Sequence, residues 1–268
     1  MISRLALLSI FLCANQLNHA FAEEHDDKLR IGAQSQYFDY KEEFPPPGKS
    51  EERGVITGIS LGYEYKPQSQ SSWSELELNY TSGVISYDGS LQNMSTGAYA
   101  GTFVDKSQLK LFELLSLLGA SLHRTPISDV SIYAGLYLRT WDRILGINQP
   151  QYGYEEIYSS LFLPIGIRYE HQVSERFNLG LDAAVHIPIS SAFKMLHSSF
   201  TISNSLKTEI SGRVKAHLQY SFNEKYSIKV SPFIQTVKYK ASYIGLGFSE
   251  PSSKTLQYGS QLHFVANL

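Results

Sequence analysis

The sequence predicts an all-β chain folded as an antiparallel transmembrane β-barrel of ten strands, within a range of eight to twelve. Three observations predict it. From Thr208 onward, the stretch Leu206 to Phe222 sorts by alternation into Ile210, Gly212, Val214, Ala216, Leu218, Tyr220 and Phe222 on one side and Glu209, Ser211, Arg213, Lys215, His217, Gln219 and Ser221 on the other. A period of two is that of a β-strand, whose successive side chains face opposite ways. Such a run is long for a soluble sheet, whose strands average about five or six residues, and roughly ten tilted residues span a bilayer. The second observation is that similar segments recur along the whole chain, joined alternately by long and short connections. The third is composition: 18 Tyr and 14 Phe against 3 Met favour β structure with rings that are half buried and half wet.

In chain order, Lys28 to Glu42 reads as the first strand, with Arg30 inward. The proline-bearing Glu43 to Arg53 reads as a loop. Gly54 to Lys66 sets Val55, Ile59, Leu61 and Tyr63 against Gly58, Ser60 and Glu64. Trp73 to Tyr87 sets Leu76, Leu78 and Tyr80 against Glu75, Glu77 and Asn79, and Asp88 to about Lys106 reads as a loop beginning with an Asp-Gly turn. Ser107 to His123 also fits a helical stripe through Leu111, Leu114, Leu115 and Leu118. Strand is preferred there, because a helix would leave its neighbours unpaired and the barrel open, and an open edge in lipid is not tolerated.

Asp129 to Arg143, Tyr154 to Glu170, Arg176 to Ile189, the stretch ending at Phe222, Lys225 to Lys240 and Lys254 to Leu268 complete ten strands. Connections of roughly ten to twenty residues follow odd strands and about two to six follow even ones. Bacterial outer-membrane barrels share that asymmetry, with short periplasmic turns and long outer loops, so both termini are expected in the periplasm. Tyr63, Tyr65, Tyr169, Phe177, Tyr220, Phe222 and Tyr226 fall near the short turns, where an interfacial girdle would lie.

Met1 to Ala22 reads as a secretory signal: Arg4, an apolar stretch from Leu5 to Ala14, and Ala20-Phe21-Ala22 as the cleavage site. Its removal leaves no cysteine, so no disulfide staple is available. A net charge of −2 and no long basic run argue against nucleic acid as a partner.

Taken together, the A-x-A signal and the alternating C-terminal stretch YGSQLHFVANL make the chain resemble a Gram-negative outer-membrane β-barrel protein over nearly its whole length. The stretch is similar to the signature read by the barrel-assembly machinery, with Leu268 where an aromatic residue is usual. The resemblance implies residence in the outer membrane, with its lipid and lipopolysaccharide as surroundings and the assembly machinery as a partner during insertion. Ten strands are also the count of the omptin proteases. The acidic and His-Asp catalytic pairs of that family cannot be matched here, so none is carried over.

The inward faces place Arg30, Arg139, Arg168, Arg213, Lys215 and Lys229 with Glu64, Glu75, Glu77, Glu113, Glu170, Asp182 and Glu209. Buried charges are costly unless paired, and a balanced set in a narrow barrel predicts a connected network that largely fills the lumen. Asp88, Asp142, Glu155, His186 and His197 fall near the long-loop rim and are the candidates for any rim chemistry. No ligand spacing such as H-x-x-x-H joins them, so no metal or other cofactor is expected and no catalytic residue is assigned. Two readings follow: a structural or surface-binding barrel or small-solute channel, or a barrel hydrolase acting on lipid or peptide at the outer rim. The first is favoured, because no tight acid-base constellation stands out. Oligomeric state is left open.

Overall fold

The computed structural model describes residues 27–43, 48–67, 70–92, 99–149, 153–197, 200–245 and 248–268; the signal expected at 1–22 lies outside them. The strands are β1 (Lys28–Glu42), β2 (Ser50–Tyr65), β3 (Ser72–Gln92), β4 (Tyr99–Arg124), β5 (Ser128–Leu145), β6 (Tyr154–Gln172) and β7 (Phe177–His197). Then come the short β8 (Phe200–Ser205) and β9 (Lys207–Thr208), followed by β10 (Ser211–Ser221), β11 (Tyr226–Lys240), β12 (Ser242–Gly245), β13 (Phe248–Glu250) and β14 (Ser253–Asn267). Ten of them, β1 to β7 with β10, β11 and β14, pair in sequence; β14 returns to β1 and β10 to β7, which closes an antiparallel barrel. β8 extends the sheet beside the upper part of β7, β9 beside β11, and β12 and β13 form a separate hairpin.

The hydrophobic pattern sets the facing. Along β10, Ser211, Arg213, Lys215 and His217 are buried, whereas Val214 and Leu218 stand exposed on the outer wall. The same alternation leaves Leu29, Ile31, Val55, Ile59, Ile132, Ile165, Ile167, Leu179, Val185, Val230 and Leu262 exposed, a continuous apolar belt at the short-turn end. An apolar exterior over a polar interior inverts a soluble fold and suits lipid. Tyr169, Phe177, Phe222 and Tyr226 lie exposed near the short turns; Phe177 packs tilted against Tyr220 at 5.0 Å and Tyr226 stacks on Phe264 at 5.5 Å.

Three expectations are corrected. Ser50–Arg53 belong to β2, and β3 and β4 run on through most of the expected loop, Glu51 pairing with Asp88 and Asp88 with Val104; Asp88-Gly89 is therefore strand and not a turn. Part of the long connection expected between Ile189 and the stretch ending at Phe222 is likewise strand, since β7 continues to His197 and pairs with β8. Beyond the belt both faces of these strands meet polar surroundings or a crowded interior, so hydrophobic alternation fades while the backbone ladder continues. Ser107 to His123 is strand, as preferred. Its helical appearance arises because Leu109, Leu111, Leu115 and Leu117 are buried in the lumen, which leaves apolar residues on both faces. A bulge between Leu161 and Phe162, opposite Pro188 and Ser190, bends β6 and β7 where proline would otherwise cost a ladder bond.

Candidate functional site

The site is the lumen itself, and the strands order it in levels from the short-turn end upward. At the mouth, Lys28 pairs with Glu64 at 3.5 Å, Lys66 with Asp129 at 2.9 Å and Glu170 at 4.0 Å, and His217 Nε2 lies 3.7 Å from a Glu170 oxygen. Above it, Glu75 of β3 bridges two arginines, accepting from Arg30 of β1 on one oxygen and from Arg168 Nη2 of β6 at 2.6 Å on the other. Arg168 Nε also donates to Asp182 of β7 at 3.2 Å, whose second oxygen accepts from the Tyr133 hydroxyl at 2.6 Å. The same guanidinium lies over the Trp73 ring, 4.3 Å from its centroid. Gly62 makes room for the network: a Cβ there would lie 2.6 Å from Arg30 Nε.

Lys215 of β10 reaches across to Glu77 of β3 at 2.8 Å. Gln261 donates to Glu77 at 3.0 Å, Asn79 at 3.1 Å and Gln34 at 2.9 Å, so an amide ladder ties β14, β1 and β3 together. Arg213 and Lys229 are buried in the same layer; Arg213 lies in the field of Glu77 and Asp182, Lys229 in that of Glu170, Glu64 and Glu75. One level higher, Arg139 pairs with Glu113 at 3.1 Å and donates to Gln257 at 2.6 Å, while the Tyr137 hydroxyl donates to Glu113.

The long-loop half has another interior. Phe38, Tyr40, Trp141, Tyr158 and Phe193 are buried together, with Trp141 stacked on Tyr158 at 4.6 Å and edge-on to Tyr40 at 4.7 Å. Among them sits Arg143, 4.7 Å from the Tyr40 centroid and 5.2 Å from that of Trp141. Three carboxylates surround it: Glu156 at 2.5 Å, Glu42 at 2.8 Å and Glu52 at 3.5 Å. Glu52 is fully buried and its carboxylate oxygens accept no hydrogen bond. This level lies above the belt, and burial, only partly opposed by Arg143, raises the Glu52 and Glu156 carboxyls above their ordinary range.

Of the residues assigned to the network from sequence, Arg30, Glu64, Glu75, Glu77, Glu113, Arg139, Arg168, Asp182, Arg213, Lys215 and Lys229 are buried in the lumen and Glu170 lies at its mouth. Glu209 stands apart: it is part-exposed at the long-loop end, 3.8 Å from Lys240, because β10 begins only at Ser211. The rim residues do not converge. Asp88 pairs with Lys49 at 2.5 Å, Asp142 with Lys110 at 3.5 Å, and His197 stacks on Phe200 at 4.8 Å. Glu155 lies in the field of Asp142, and burial together with that negative charge raises its carboxyl above the ordinary range. His186 is corrected in place: it is buried inside the barrel against Tyr137 and Phe162, with ring centroids at 4.9 and 6.0 Å. Sequence reasoning missed the Arg143 cluster, although continuing the inward parity of Arg139 and Trp141 by two residues reaches Arg143. Among the described residues no group of three or more His, Cys, Asp or Glu is arranged to hold a metal ion.

A closed antiparallel barrel of ten strands with an apolar belt and a polar, filled lumen has the fold of the Gram-negative outer-membrane β-barrels. Among solved structures, the outer membrane protease OmpT from Escherichia coli superimposes with a TM-score of 0.69 at 12% identity, covering 93% of this chain and 98% of that one. The translocator domain of the autotransporter NalP from Neisseria meningitidis gives a TM-score of 0.42 at 13% identity, covering 100% of this chain and 97% of that chain. Ail, the attachment invasion locus protein of Yersinia pestis, gives 0.34 at 10% identity, covering 90% and 99%. No family model matches the chain, and no curated protein matches it. At such identities the likeness shows the fold alone.

Proposed function

We propose that the protein is an integral outer-membrane barrel that acts as a structural or surface-binding element, with the long-loop end outside and both termini in the periplasm. The observation that carries this reading is the cross-lumen network: Arg30, Glu75, Arg168 and Asp182 join β1, β3, β6 and β7, and Lys215 and Glu77 join β10 to β3. Charges paired across so narrow an interior favour a plugged lumen over an open aqueous path. Barrels of about eight strands are filled by side chains, whereas aqueous channels come with about sixteen.

Insertion would proceed through the barrel-assembly machinery, and the finished belt would sit among outer-membrane lipid and lipopolysaccharide. That OmpT is a protease is a property of that protein. Here the rim aspartates Asp88 and Asp142 are engaged by Lys49 and Lys110, and the sole His-carboxylate contact among the described ion pairs, His217 with Glu170, lies at the opposite mouth.

Planar-bilayer recording tests the reading. The unmodified protein is expected to show rare openings that become more frequent in Arg213→Ala or Glu77→Ala. Frequent, stable openings of large conductance in the unmodified protein would refute the plug. Protease added to intact cells should cut at the long loops, such as residues 43–49, and spare Asn223-Glu224; cleavage at that short turn would invert the topology.

A further inference from the structure

Above the belt, one row on the outer wall carries three lysines with no described acid at ion-pair distance. Lys238 of β11, Lys254 of β14 and Lys41 of β1 lie directly opposite one another across three adjacent strands. All three are exposed, and the flanking Val237, Tyr239, Ser253, Thr255 and Tyr40 are buried on the lumen side, so the lysines point outward. Cα atoms of opposed residues are about 5 Å apart, which puts the three lysine Cα atoms within roughly 10 Å of one another. Like charges directly opposite on a sheet are destabilising.

Two acids border the row, Glu51 opposite Lys41 on β2 and Glu43 two residues beyond Lys41 with its backbone on Ser252, but neither reaches ion-pair distance of the three lysines, and Glu51 and the remaining acids are engaged elsewhere. Asp39 pairs with Arg53 at 3.3 Å, Glu51 with Arg53 at 2.8 Å and Lys49 at 3.7 Å, and Glu209 with Lys240 at 3.8 Å. Among the described residues none of the three lysines has an ion-pair partner.

Directly below, the row meets the upper edge of the belt. Tyr37 and Tyr258 stack at 5.3 Å, four residues beneath Lys41 and Lys254, and Ile234 stands beside them, exposed, four residues beneath Lys238. Leu262, Phe264, Val230 and Ile31 continue the apolar face downward. Four residues of strand rise about 13 Å, and a tilt of about 45° lowers the lysine row to roughly 9 Å above the apolar edge. That is headgroup depth, given about 5 to 7 Å of polar region on each side of the hydrocarbon and the reach of a snorkelling lysine.

We propose that Lys41, Lys238 and Lys254 bind the phosphate groups of a lipid whose acyl chains lie along the β14 face, in the leaflet from which the long-loop end projects. The complementarity is of two kinds at the correct separation: three unpartnered cations above, and a stacked aromatic pair leading into an apolar lane below. The proposal rests on the belt being the membrane-spanning zone.

Native mass spectrometry of the full-length folded barrel in neutral detergent, titrated with diphosphorylated lipid A, with its dephosphorylated form and with inorganic phosphate, tests it. The unmodified protein is expected to retain the phosphorylated lipid at least about tenfold more tightly than the dephosphorylated one, and K41Q/K238Q/K254Q to lose that preference. A control bearing K106Q/K110Q/K194Q, also on the outer wall, should keep it. Heat-modifiable gel mobility confirms that each variant is folded. Unchanged affinity in the K41Q/K238Q/K254Q barrel, equal binding of both lipids, or displacement by inorganic phosphate at equal concentration would overturn the lipid site. Failure of the unmodified barrel to insert into phosphatidylcholine vesicles would instead overturn the membrane reading beneath it.

Discussion

The belt half and the projecting half of this barrel are built with opposite polarity from the same strands. In the belt half the outer wall is apolar and the interior is charged; in the projecting half the outer wall carries Lys41, Arg53, Asp88, Lys106, Lys194 and Lys238 while the interior is dominated by Phe38, Tyr40, Trp141, Tyr158 and Phe193. A single alternating ladder achieves both because facing is fixed by parity alone. The difference shows what each environment demands. Where lipid surrounds the wall, polarity must go inward and be paired; where water surrounds it, apolar rings can fill the lumen, and only Arg143 needs carboxylate partners there.

The two interiors also differ in charge balance. Below, cations and anions are interleaved: Glu75 serves both Arg30 and Arg168, and Arg168 in turn contacts Asp182 and Glu64, so no carboxylate depends on a single isolated pair. Above, one arginine serves three glutamates. The largest effect is therefore expected at Arg143: Arg143→Ala leaves Glu42, Glu52 and Glu156 buried without a cation and should cost about 3 to 5 kcal/mol. Urea unfolding of the liposome-inserted barrel, followed by tryptophan fluorescence, measures it, because Trp141 lies in the same cluster. A loss below about 1 kcal/mol would mean that the aromatic rings alone hold the upper half.

The outer walls give the next comparison. Val214 is 45% exposed within the belt and Val104 is 68% exposed on the projecting β4. Val214→Arg should cost roughly 2 to 4 kcal/mol in liposomes if it lies near the bilayer midplane, whereas Val104→Arg, already in water, should change stability by less than about 0.5 kcal/mol. Equal costs at the two positions would place the belt boundary wrongly.

The same contrast explains what could be read from sequence. In the belt, a strand has lipid on one side and charge on the other, so β1 is legible to its ends and Arg30, Arg168 and Lys215 declare their facing by parity. Where the lumen turns apolar the signal collapses: Leu109 to Leu118 is strand with leucines on both faces, indistinguishable by periodicity from a helix stripe. Above the belt the outside turns polar, so Glu51, Asp88 and Val104 look like loop although they pair across β2, β3 and β4. Glu209 falls outside the network for a related reason, since alternation in the sequence extends beyond the point where β10 begins at Ser211. The convergence of Glu42, Glu52 and Glu156 on Arg143 was beyond sequence, because it joins β1, β2 and β6 to β5 across the barrel and depends on closure.

The smallest effect concerns whether that carboxylate excess is fully ionised. Glu52 has no exposed surface, accepts no hydrogen bond, and is held above its ordinary value near 4.5 by burial. Because the folded protein binds this proton more tightly than the unfolded chain, the contribution to stability is fully present below about pH 4.5 and is lost as pH rises through the raised value. Glu52→Gln keeps the shape of the neutral acid and removes the titration. It should raise stability at pH 8 and make little difference at pH 4, with Glu42 and Glu156 still holding Arg143. The measurement is the unfolding midpoint of both proteins across that range. If Glu52→Gln instead destabilises the barrel at pH 8 and leaves its pH dependence intact, Glu52 is an ionised partner of Arg143 in earnest, and the upper half is balanced by attraction in the same way as the lower.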